Sequence, residues 1–377
     1  MKRILPLLGI ALCAAFAPPS DRIIELLEKL TNAPGPSGYE GPVRRIMVDE
    51  LKPYVDKISY DGMGSVIAQQ GSSGPRIMLD AHMDELGGMI RRVTPNGYLS
   101  MQMLGGWFDQ ALVDQRWTII GSKGPVSAVT GIRDIHVAAP DERNKVFPRD
   151  GLLLDIGAKS ADEVKAMGIE PGDPVVPDAP FQQLNGTQNY LAKAWDDRIG
   201  CAVLIEVARH FAHAPHPNQL FYAATVQEEI GLRGAITSSD IIKPDIGIAF
   251  EVGITKDSPG MGPEEAQEIL GGGPGVFYYD ASALPNLKMI SFTKDIAAAH
   301  SIPLQYDLIT GYGEDAAAIQ KSNGGVPAEN LVVPTRYTHA HNGIINRADF
   351  DRMVQLVIGM VEKLDAAQVA RIKDFSQ

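Results

Sequence analysis

Glu228 and Glu229 stand side by side in the stretch TVQEEIG, directly after the apolar run Leu220-Phe-Tyr-Ala-Ala. Two like charges about 4 Å apart repel by roughly 1 kcal/mol in water and about 4 kcal/mol at an effective dielectric near 20. A bound cation would offset that cost. Three further stretches put metal-binding residue types where apolar runs end: His82, Asp84 and Glu85 in DAHMDE, Asp196 and Asp197 in AWDDR, and Glu251 in AFEVG. The stretch RYTHAH adds His339 and His341. Imidazole and carboxylate without thiolate suit zinc, cobalt or manganese at a catalytic site. Two histidines with three or more acids exceed the three protein ligands typical of one catalytic zinc, so a pair of divalent ions sharing one bridging acid is the economical reading. A His-x-Asp on an extended segment keeps both side chains on one face, which lets Asp84 support the His82 imidazole from behind. With Glu229 on a metal, Glu228 can turn to the activated water and serve as general base.

Each feature also has a plainer reading. Taken alone, Glu228-Glu229 fits a solvated turn and His82 a satisfied core histidine; the companion stretches reverse that balance. Asp197 is expected to pair with Arg198 or to cap the next helix. His210, His213 and His216 read as helix C-terminal and loop residues, and Cys201 as core. Gly271-Gly272-Gly273 reads as a turn, because no Lys-Ser/Thr follows it. The chain has no H-E-x-x-H and no C-x-x-C, which excludes single-zinc helix proteases and structural zinc modules.

The candidate ligands lie so far apart in sequence that no local helix or finger could gather them. An open α/β sheet can, because the loops at the carboxyl ends of its strands converge on one crevice. Ile23, Leu26, Leu27 and Leu30 recur at helical spacing behind Ser20, a possible cap, and Val43 to Leu51 starts a second helix. KISYDGMGSVIAQQ reads as a hairpin around Asp61-Gly62, and PRIMLDAHMDE as a buried strand. From Gly97 to about Pro180 many short β-type runs are punctuated by glycine and proline, the texture of a small closed β unit. Arg198 to Phe211 then has helical periodicity, Leu220 to Val226 and Ile246 to Phe250 are strand-like, and Ala348 to Leu364 is an amphipathic helix. The whole reads as an α/β domain interrupted by a β insertion.

With 377 residues and a net charge of -12, the chain can bury a large core and has no Lys/Arg run for phosphates or anionic lipid, which argues against nucleic acid and membrane surfaces as partners. Lys2-Arg3, the apolar stretch Ile4 to Ala17 and Pro18-Pro19-Ser20 read as a secretory signal peptide over residues 1–20, placing the mature protein in the periplasm or outside the cell; read instead as an N-terminal helix, the segment would leave the protein in the cytoplasm. Only Cys201 would remain, so no internal disulfide is expected.

PGPSGYEGPVR, DGMGSV, AHMDELG, LLLDIGAKSADEVKAMGIEPGD, KAWDDRIG, QEEIGLRGA, GEDAAAIQ and PTRYTHA together resemble, in order and over nearly the whole mature chain, the TET or deblocking aminopeptidases of metallopeptidase family 42. The resemblance implies a three-layer, mixed-sheet catalytic domain over residues 21–86 and 185–377, with a barrel-like dimerisation insert over residues 87–184. It implies a co-catalytic two-metal exopeptidase, most simply a zinc enzyme, that removes N-terminal residues from peptides by way of a metal-bridging hydroxide. His82 and Glu251 would hold one ion, Glu229 and His339 the other, and Asp196 would bridge them, with Glu228 as base and Asp84 behind His82. A homo-oligomer, dimer or dodecamer, is implied as well. Glu251 stands where that family usually has Asp, and His341-Asn342 where a proline and an acid are common. A dipeptidase, carboxypeptidase or amide deacylase on the same dimetal site is the second reading, and a binding or scaffold protein without catalysis the third.

Overall fold

The computed structural model describes residues 21–376, so the expected export signal over residues 1–20 lies outside the described residues. Its largest element is an 11-stranded mixed sheet. At the centre, Gln219–Thr225, Arg76–His82, Ile246–Ile254 and Ala328–Arg336 run parallel in that spatial order. Almost every residue of these four is buried, as near-continuous apolar strands covered on both faces should be. Antiparallel strands close both flanks: the hairpin Lys57–Tyr60 with Val66–Gln70 on one side, and Gly343–Asn346 with Asn189–Ala192 on the other.

Alternation along the strands divides the core. Ile77, Leu79 and Ala81 join the cluster built on the helix Trp195–Phe211, whereas Met78 faces Ala235 and Ile242 of the helix Arg233–Ile242 and Ala316 and Ile319 of the helix Ala316–Lys321. Trp195–Phe211 is buried almost all round, because Arg22–Asn32 and Arg347–Lys363 pack against its outer side. The result is helices, sheet, helices, the mixed α/β architecture expected.

Between the strand ending at His82 and that starting at Asn189, the chain closes a six-stranded barrel: Gly87–Val93, Leu99–Leu104, Leu153–Asp155, Gly124–Thr130, Arg116–Gly121 and Pro174–Pro177. Its separate core is filled by Trp117, Ile90, Leu112, Ile119, Leu154 and Val175.

One local expectation shifts and another holds. The first helix is capped by Asp21, whose carboxylate accepts from the Ile23 amide; the expected cap, Ser20, lies outside the described residues. The glycine run Gly271–Gly273 is a turn, as read, and the Gly271 and Gly273 amides donate to the Asp349 carboxylate, so an anion from the chain itself fills the cradle. Among the described residues no helix is long and apolar enough to cross a membrane.

Candidate metal centre

Strand register does the first part of the assembly. Thr225 is opposite His82, and Ala249 is opposite Asp80, which brings Glu251, two residues on, level with His82. His82 is fully buried at its strand's end, with Nδ1 donating to the Asp84 carbonyl at 3.0 Å. That bond fixes the tautomer and leaves Nε2 facing carboxylates: Asp196 Oδ1 at 3.0 Å, Glu251 Oε2 at 3.6 Å and Glu228 Oε2 at 3.8 Å. The Asp84 carboxylate lies 3.6 Å from Nδ1 and is engaged elsewhere, accepting from Ser37 Oγ and from the Glu228 and Glu229 amides. Asp84 thus holds His82 chiefly through its backbone and the adjacent glutamates through its side chain.

That double anchor sends the two glutamates apart. Gln227 has φ +57°, in the left-handed region, and turns the chain after the strand. Glu228 then faces the His82 side, while Glu229 Oε2 lies 3.9 Å from His339 Nε2. His339, itself at φ +57°, donates from Nδ1 to the Gly106 carbonyl at 2.6 Å, a contact supplied by the barrel side of the molecule. Its Nε2 is 3.3 Å from Asp196 Oδ2. One Asp196 oxygen therefore addresses each imidazole.

The structure brings together all five expected ligands, His82, Asp196, Glu229, Glu251 and His339, with Glu228 and Asp84 beside them. They fall into two groups whose ligand atoms lie within 4.8 Å of one another: His82, Asp197 and Glu251, and Asp196, Glu229 and His339. Asp197 is the addition. Its Oδ1 accepts from the Gly200 amide as a helix cap, but Oδ2 has no partner, and Arg198 does not pair with it. Arg198 donates instead to the carbonyls of Leu30, Ala33, Gly35 and Met83 and approaches Glu85 at 3.5 Å. Lys193 forms bonds of 2.7 Å to both Glu85 oxygens, and burial pushes it down to about 8. This buried cationic clamp behind the ligands escaped the sequence reading; the basic residues flanking WDD were its only signal.

The donor set fits divalent cations. Glu229 Oε1, Glu251 Oε1 and Asp197 Oδ2 are buried without a hydrogen-bond partner. Burial pushes Glu229 up to about 8 and Glu251 up to about 7. At His339 burial opposes the charged form, but the Glu229 carboxylate and the Asp196 hydrogen bond outweigh it and raise the imidazole to about 10. Protons thus gather where cations would neutralise the same carboxylates.

A cavity of about 330 Å³ opens on the two groups, and Glu228, Tyr312, Glu314 and Leu232 also line it. Cys201 is buried in its helix, where burial pushes its thiol up; that is a core residue. His210, His213 and His216 belong to neither ligand group.

A family model described as M42 glutamyl aminopeptidase matches residues 64–356. FrvX of Escherichia coli (strain K12) is 35% identical, covering 94% of this chain and 99% of its own. Among solved structures, the TET aminopeptidase of Thaumarchaeota archaeon SCGC AB-539-E09 superposes with a TM-score of 0.91 at 38% identity, covering 93% of this chain and 99% of that one. The Pyrococcus horikoshii TET1 peptidase, which can assemble into a tetrahedron or a large octahedral shell, gives 0.83 at 30% identity, over 91% and 100%.

Proposed function

The chain belongs to the M42 glutamyl aminopeptidase family and is a metal-dependent hydrolase, and from that premise we propose that it is an aminopeptidase working with two divalent ions. The observation that carries this is the Asp196 carboxylate, split between His82 Nε2 and His339 Nε2 at 3.0 and 3.3 Å. His82, Asp197 and Glu251 would hold one ion, and Glu229 and His339 the other, with Asp196 shared between them. When bound, such ions supply Lewis-acid polarisation of the scissile carbonyl and make water more acidic. Nitrogen and oxygen donors without sulfur favour zinc, with cobalt or manganese as substitutes.

The chain's own residues do the rest. Glu228 belongs to neither group, lines the cavity and has its amide pinned by Asp84. Burial, followed by the charges of Glu251 and Asp315, holds its carboxyl well above the ordinary value against the pull of His82, which suits a group that takes a proton from water and returns it to the leaving amine. Asp84 orients His82 and both glutamates, and the Gly106 carbonyl orients His339.

The likeness to TET1 supports a homo-oligomer built through the segment 87–184. Ile132, Ile135 and Val137 there are more than half exposed, apolar surface that a partner subunit would cover. Light scattering at a multiple of the mass of one mature chain checks this. The export signal over residues 1–20 belongs to the same reading and is checked by N-terminal sequencing of the mature protein.

The enzymatic reading is tested with free-amine and N-acetylated aminoacyl chromogenic amides after chelation and re-addition of zinc, cobalt or manganese. Turnover of the free amines should vanish on chelation and return with about two ions per chain. Preference for the acetylated series would overturn it.

A further inference from the structure

Glu314 is a second acid in the same cavity that the catalytic assignment leaves unused. It lies just before the helix Ala316–Lys321, is 2% exposed, and neither of its carboxylate oxygens has a hydrogen-bond partner. It belongs to neither ligand group. The strongest charges acting on it are those of Glu251, Asp280, Asp196 and Glu228, all acidic. The other polar groups nearby are committed: the Tyr312 hydroxyl donates to the Val252 carbonyl, and Asp280 accepts from Ser282, Ala283 and Asn330.

Charge balance sharpens the point. Asp196, Asp197, Glu229 and Glu251 supply four carboxylates, which match two divalent ions. Glu228 moves a proton. Glu314 then remains a buried carboxyl with neither a hydrogen-bond donor nor a cation of its own, an arrangement that costs free energy until a ligand supplies one. Apart from His339, itself in a ligand group, no basic side chain among the described residues lines the cavity. An N-terminal glutamate or aspartate would enter a wall of like charge.

We propose that Glu314 accepts an ammonium group of the substrate's N-terminal residue, so that this chain takes peptides beginning with a basic or neutral residue and rejects those beginning with Glu or Asp, whatever its family is called. The inference rests on the aminopeptidase reading. Two sources share the chemistry, the α-ammonium of any peptide and the side-chain ammonium of lysine.

The test compares metal-loaded wild type and Glu314→Gln on chromogenic amides of lysine, norleucine and glutamate; norleucine has the lysine chain without its terminal nitrogen. Wild type should turn over the glutamate amide at least about tenfold less efficiently than the norleucine amide. Glu314→Gln should lower kcat/KM on the lysine amide by about 10- to 100-fold, mainly through KM, with Glu314→Asp partly restoring it. An equal loss on norleucine assigns the α-ammonium, and a much smaller loss assigns the lysine side chain; either supports the proposal. Equal efficiency on all three amides in both enzymes, a wild-type preference for glutamate, or loss of one bound metal ion in Glu314→Gln would overturn it. Should the variant fail to fold, the wild-type ranking of the three amides decides alone. Should no amide turn over, the aminopeptidase reading fails, and calorimetric binding of L-lysinamide, weakened by Glu314→Gln or not, still decides the role of Glu314.

Discussion

Asp196 is half-buried and is held well below the usual carboxylate range, because hydrogen bonds from His339 and His82 outweigh desolvation. Its neighbours Glu228 and Glu229 are raised by burial, so adjacent acids occupy opposite protonation regimes inside one cavity. Glu228→Gln keeps the shape and removes the proton acceptor. It should lower kcat by about 10²- to 10⁴-fold while metal content stays at the wild-type level. Turnover near wild type would assign the base elsewhere. The raised pKa values also set the pH response of chelator-stripped protein. Between pH 6.5 and 8 the folded state keeps protons on Glu229, up to about 8, and on His339, up to about 10, that the unfolded chain has released. Stability present at lower pH is therefore lost as pH rises through this window. His341, lowered to about 4 by burial, acts oppositely only below 6.5, and Lys193 only above about 8. The melting temperature of stripped protein should fall from pH 6.5 to 8, and metal should flatten the slope, since its ligands are deprotonated on both sides of the window. A rise in the stripped protein would show that the ligand groups do not hold those protons.

Among the elements, the parallel strands matter through where they stop. His82 ends one strand, Glu228 and Glu229 follow another, His339 follows a third, and Glu251 sits inside the fourth at the level the register dictates. Arg198, at the start of the buried helix, ties four carbonyls of the first helix, its following loop and Met83, just past the His82 strand, to that edge. Replacing it with leucine strands those acceptors and leaves Glu85 to Lys193 alone. Arg198→Leu should cost about 3–5 kcal/mol in urea denaturation. A loss below about 1 kcal/mol would mean that water satisfies the carbonyls instead.

On the scale of the whole molecule, the barrel reaches into the catalytic face at two points. The Gly106 carbonyl fixes His339, and His341, two residues further, packs against both Trp107 and Trp117 with ring centroids at 5.6 and 4.2 Å. Trp117 belongs to the barrel core, so this imidazole joins the two bodies beside a ligand. His341→Ala should lower stability by about 2–4 kcal/mol and weaken metal retention in a chelator competition, and His341→Phe should recover most of both. Unchanged retention in the alanine variant would show that His339 is positioned without this packing.

The sequence by itself determined which stretches bear the chemistry. Apolar runs such as Leu220–Ala224 end abruptly in acids or histidines, and burial of a strand with chemistry at its end leaves that mark in any single chain. The alternation of α and β texture with a block of short glycine-punctuated strands likewise announced a sheet interrupted by a barrel. What only the tertiary structure decided is which atoms meet. Asp197 looked like a cap and is one, but the turn of the chain also brings its carboxylate within 4.8 Å of the ligand atoms of His82 and Glu251. Glu314 and Gly106 carry no local signal, and nothing local separates His341, which packs on the tryptophans, from His339, which joins a ligand group, because their surroundings come from segments folded in from far along the chain. Spacing in sequence fixes faces and ends of elements, whereas distances of a few ångströms between distant side chains depend on how those elements pack.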